Sequence, residues 1–132
     1  MALEDFFADI ASNLIAKIIG LIALPPGNTK KEKAVRVMLN IYSVVQLTRF
    51  HISQNNGIHV ASSELSNKYT ELLNEIAKLK HNDMPIEVPE YLYQKAKYWI
   101  NPEAIIRNPE GLEQIPRLKE IEEQCLKVLC SL

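Results

Sequence analysis

From Thr29 to Gln54 the sequence runs without a proline or glycine, bracketed by Pro25-Pro26-Gly27 and Asn55-Asn56-Gly57. Val35, Val37, Val44 and Val45 would suit a strand, but strands seldom exceed about ten residues. As a helix over about 29–55 the segment is a rod roughly 40 Å long. Thr29-Lys30-Lys31-Glu32 has the form of a capping box at its start. Asn55-Asn56-Gly57 offers the left-handed stop that ends helices. Apolar residues from Ala34 through Val37, Met38, Ile41, Val45 and Leu47 to Phe50 and Ile52 cover most of its circumference. A helix wet on only a narrow side is the middle one of a bundle.

The flanking segments read as partners for that rod. Over about 2–24, Leu3, Phe7, Ile10, Leu14, Ile18 and Leu21 recur at three- and four-residue steps and share a face. The opposite strip is Asp5, Asp9, Ser12, Ala16 and Ala23 with Gly20 beside it, and its small half would let another helix come close. Ser62 or Ser63 caps a third helix to about His81, with Leu65, Tyr69, Leu72, Ile76 and Leu79 in a narrow stripe. Prolines then open segments: a helix over about 89–100, one or two short turns, and a last helix over 116–131 with Leu118, Ile121, Cys125, Val128 and Leu132 inward. The sum is an all-α fold, an antiparallel helical bundle of four main helices plus a short helix, with the second central. A chain of 132 residues is one domain by length, so 1–132 is read as a single unit.

The same residues narrow the chemistry. A net charge of −1 gives no global field for nucleic acid or an anionic membrane. The uncharged run Ile18–Thr29 holds only about nine apolar residues before its turn, against the roughly 20 needed to span a bilayer. Glu4, Asp5 and Asp9 stand where a secretory leader carries positive charge. Cys125 and Cys130, five apart on one helix, point about 140° away from each other and cannot bridge. Two unbridged thiols suit a reducing compartment, so the expected location is cytoplasmic.

His51, His59 and His81 show no metal-ligand spacing, so no metal and no cofactor are expected, and these are read as ordinary surface or helix-end histidines. All-helical ribonucleases place a histidine four to six positions after an arginine; behind Arg49, His51 is too near and His59 too far. Phosphate loops and nucleophile elbows are missing as well. No catalytic residue is assigned, and the chain is not expected to be an enzyme.

Three surfaces are candidates for partners. Lys30, Lys31, Lys33 and Arg36 lie in the first turns of the central helix, where the macrodipole is already positive. They either balance the carbonyls ending the first helix or form an anion or partner contact. Tyr91, Lys95 and Tyr98 form an expected protein contact on the side of their helix away from Trp99. Leu126 and Cys130 widen the last helix's apolar face, which points to self-association. The expected function is a non-catalytic interaction module, a small adaptor or regulatory subunit docking to another protein and able to form a homo-oligomer. One alternative is a peripheral membrane protein using Ile18, Ile19, Leu21, Ile22 and Leu24 beside the lysines. Another is an RNA-binding, nuclease-like bundle without catalytic residues. Duplex nucleic acid is not expected, since four cations make too small a basic face.

Overall fold

A computed structural model describes residues 3–57, 59–79, 87–102 and 110–132. They form five helices, α1 (Leu3–Ile22), α2 (Thr29–Gln54), α3 (Ser63–Ala77), α4 (Glu87–Ile100) and α5 (Glu110–Cys130), with no strand among them. α1, α3 and α5 all pack on α2; α4 packs on α3, and α5 also touches α1. The fold is the all-α bundle read from the sequence, with its second helix central. The short helix α4, at 14 residues, is nearly as long as α3, at 15. Among the described residues no helix is long and apolar enough to cross a membrane.

The helix ends follow local chemistry, with one shift. Asn28, not Thr29, caps α2: its backbone is extended and its side-chain oxygen accepts from the Lys30 amide at 2.9 Å. Asparagine is among the strongest caps because its short carbonyl reaches back to the first free amides. At the other end Asn56 and Gly57 both have positive φ, and the Gly57 amide returns to the Ile52 carbonyl at 2.9 Å. Ser62 caps α3 by accepting from the Leu65 amide at 3.0 Å.

α5 begins at Glu110, earlier than expected, and runs through Pro116. Proline removes a single backbone bond to the preceding turn, and a helix held by its neighbours can tolerate that loss. The expected short turns fall partly on 103–109, and His81 on 80–86; both lie outside the described residues. So do the side chains of Leu3, Asp5 and Phe7.

Leu14 and Ile18 of α1 share one core with Val37, Met38, Ile41 and Val45 of α2, all essentially inaccessible. The small strip of α1 corrects its expectation: Ala16, Gly20 and Ala23 are exposed, and a Cβ built on Gly20 meets nothing within 4 Å. Among the described residues no helix covers this half of the strip, because the opposite face already supplies the seam. The α1–α2 corner is settled likewise. Ile18 and Ile22 are buried, leaving Ile19 as the large apolar residue that emerges.

Polar contacts tie two of the helix pairs. Arg49 of α2 donates through Nε and Nη2 to the two carboxylate oxygens of Glu122 on α5, at 2.8 and 3.2 Å. The Ser62 amide donates to the Trp99 carbonyl at 2.9 Å, and Ser66 Oγ to the Ala96 carbonyl at 2.7 Å. The start of α3 therefore lies against the end of α4, which makes the two antiparallel.

Candidate functional site

α2 is covered by α1, α3 and α5, yet one strip of it stays open. Glu32, Arg36, Leu39, Ser43, Gln46 and Phe50 fall within about 80° of one another at 100° per residue. On that strip Leu39 is 51% and Phe50 56% exposed. The strip borders two concavities. One, of about 340 Å³, is lined by Ser43, Gln46, Leu47, Arg49 and Phe50 with Glu64 and Lys68 of α3. The other, of about 490 Å³, is lined by Pro26, Gly27, Lys31, Glu32, Val35 and Arg36. Leu39 stands between them in the sequence. Counting Phe50 with the apolar residues that cover most of the circumference of α2 concealed which side was the narrow wet one. The polar residues Glu32, Arg36, Ser43 and Gln46, one to two turns apart, were the available signal for it.

The basic cluster lies at the start of this strip. Lys31 Nζ donates to the Leu24 carbonyl at 3.2 Å, across the turn from the end of α1. This is the balancing contact foreseen as one of the two readings. A carbonyl accepts the hydrogen bond without cancelling the ammonium charge, so the pole remains positive. Arg36 is exposed and lines the second concavity, whereas Lys30 and Lys33 are half-buried and turn away from it around the helix.

The tyrosine surface is corrected by the structure. Lys95 is wholly buried, because a residue four positions before Trp99 is rotated only about 40° from it and shares its inward face. Its ammonium lies 5.0 Å from the Tyr98 ring centre and 5.7 Å from that of Trp99. Tyr91 and Tyr98 are half-buried against the core. Tyr93 is the aromatic that faces outward, with the Lys97 ammonium 5.2 Å from its ring centre.

Histidines complete this inner cluster. His59 is buried, not a surface residue: its ring centre lies 5.0 Å from that of Trp99, and its Nδ1 shares a 2.5 Å hydrogen bond with the Tyr98 hydroxyl. His51 meets Trp99 edge-on and donates from Nε2 to the Val60 carbonyl at 2.7 Å. The α2–α3 connection is thus pinned to the end of α4. No spacing in the sequence announces it, because the contacts join segments about forty residues apart. Lys30 and His51 are separated by about 32 Å of helix, so the basic pole and this cluster are at opposite ends of α2.

On α5, Leu126 is 46% exposed and Cys130 exposed, one and two turns beyond Glu122. Cys125 is buried, and burial, reinforced by the Glu122 charge, pushes its thiol up to about 12. The Glu122 hydrogen bond, aided by the carboxylate charge and opposed by burial, raises the Arg49 guanidinium further above its ordinary range. Among the described residues no group of three or more His, Cys, Asp or Glu is placed to hold a metal ion. No family model, curated protein or solved structure matches the chain.

Proposed function

We propose that the protein is a non-catalytic interaction module, a small adaptor or regulatory subunit of the cytoplasm, that docks to another protein through the open strip of α2. The supporting observation is that Leu39 and Phe50 are each more than half exposed on the helix whose other sides three neighbours cover. Scattered apolar residues on a surface are ordinary. These two are aligned on one strip, beside Leu47 and two concavities, and aligned apolar residues in grooves are what partner helices and loops bury. Leu126 and Cys130 supply a second, smaller surface suited to self-association. A membrane-surface role has less support, because Ile18 and Ile22, needed for insertion at the α1–α2 corner, are buried.

The test uses the full chain and its Phe50→Asp variant as baits in cells of the source organism, with captured proteins quantified by mass spectrometry. Both baits must share the same thermal midpoint, as expected for a residue already in solvent. A protein recovered by the parent and lost by the variant supports docking through α2. Equal recovery by both, or none by either, overturns it.

A further inference from the structure

We infer that the occupant of the α2 strip is an amphipathic helix of the partner protein, with apolar anchors toward one end and carboxylates toward the other. This rests on the docking reading above and specifies the partner's chemistry. α2 cannot recruit a strand along the strip, since its amides and carbonyls are already bonded within the helix. It presents instead side chains at helical steps, Leu39, Ser43 and Leu47 four apart, with Phe50 one turn on. Ser43 is the low point where another helix's ridge can enter.

The length agrees. Val35 in one concavity and Leu47 in the other are about 18 Å apart along the axis, which a helix of roughly four turns crosses. The two ends differ in character. The concavity at Leu47 and Phe50 joins apolar surface to charges that are already matched: Arg49 is bound by Glu122, Lys68 lies 3.5 Å from Glu71, and Glu64 stands on the rim. Among its described lining residues, the concavity at the α1–α2 corner carries Lys31 and Arg36 against Glu32. The amino terminus of α2 adds its dipole with the same sign. A partner helix oriented with its carboxylates over Arg36 and its apolar side chains over Phe50 is complementary along the whole strip; one with cations there is repelled.

The test is a selection from phage displaying random helix-forming peptides of roughly 20 residues, five to six turns. The full chain serves as target and its Phe50→Asp variant as counter-target. The expected winners have large apolar residues at three- and four-residue steps and carboxylates gathered at one end. Their consensus peptide should bind at least about tenfold more weakly to Phe50→Asp and to Arg36→Glu, and more weakly as salt rises. Failure of the full chain to enrich peptides beyond the Phe50→Asp level would overturn the inference. So would neutral or basic winners, or indifference to Arg36→Glu. A dimer in sedimentation that Phe50→Asp dissolves would make a second copy the occupant. Phe50-dependent binding to phosphatidylserine vesicles would make it a membrane; either result also overturns the inference. If the cellular partner still depends on Phe50 while no acidic helix is selected, the inference alone falls. If Phe50 matters in neither experiment, the docking reading falls with it.

Discussion

Removing the Arg49–Glu122 tie should reveal an asymmetry that the geometry specifies in advance. The two side chains meet through two hydrogen bonds at 2.8 and 3.2 Å, with Arg49 31% and Glu122 13% exposed. A fully exposed pair contributes about 0.2–1 kcal/mol, and a hydrogen bond to a charged group about 1.5–3 kcal/mol. Partial exposure of Arg49 discounts the upper range, so a coupling of about 1–2 kcal/mol is expected for this forked contact. The single variants should be unequal. Arg49→Gln leaves Glu122 charged where little water reaches it, whereas Glu122→Gln leaves a guanidinium with a third of its surface in solvent. Arg49→Gln should therefore cost more, by about 0.5–1 kcal/mol. Urea unfolding of the parent, both singles and the double variant gives the coupling as the non-additive remainder. A coupling below about 0.3 kcal/mol would refute the argument that this contact fixes α5 on α2. A costlier Glu122→Gln would refute the burial argument.

Other consequences can be checked on the same protein. Native protein at pH 8 should release one equivalent of thiol to a colorimetric disulfide reagent, from Cys130, with Cys125 reacting only after denaturation, because one thiol is exposed and the other buried. The folded Cys125 thiol titrates at about 12 against an ordinary value of 9.0, so its contribution is intact below pH 9 and is lost as pH climbs toward 12. Across that window unfolding releases a proton, and Cys125→Ala should flatten the fall in stability seen in the parent. Ser62→Ala removes the oxygen that accepts from the Leu65 amide and should cost about 1 kcal/mol by urea unfolding. Trp99→Phe should cost less than its bulk implies, about 1 kcal/mol, since among the described residues the buried Trp99 Nε1 has no hydrogen-bond partner whose loss would add to the volume term. A cost well above about 3 kcal/mol would show the indole held by more than packing.

The division between sequence and tertiary structure follows from the range of the forces involved. Helix type, number and order, and the central position of α2, were legible because they depend on apolar spacing, caps and Pro-Gly turns within a few residues. One reading at that scale went wrong for a local reason: Lys95 was set opposite Trp99, though a four-residue step keeps both on one face. The basic pole was legible as a charge cluster, but only the folded chain showed Lys31 reaching the Leu24 carbonyl while Arg36 stayed exposed. The sequence could name the apolar residues of α2 without ranking them, since Leu39 and Val37 are equally greasy on a wheel. Burial of Val37 and exposure of Leu39 were decided by where α1, α3 and α5 settled. The pinning of His51 and His59 on Trp99 was likewise decided only in three dimensions, because packing joins segments far apart in the chain by shape, which no periodicity encodes.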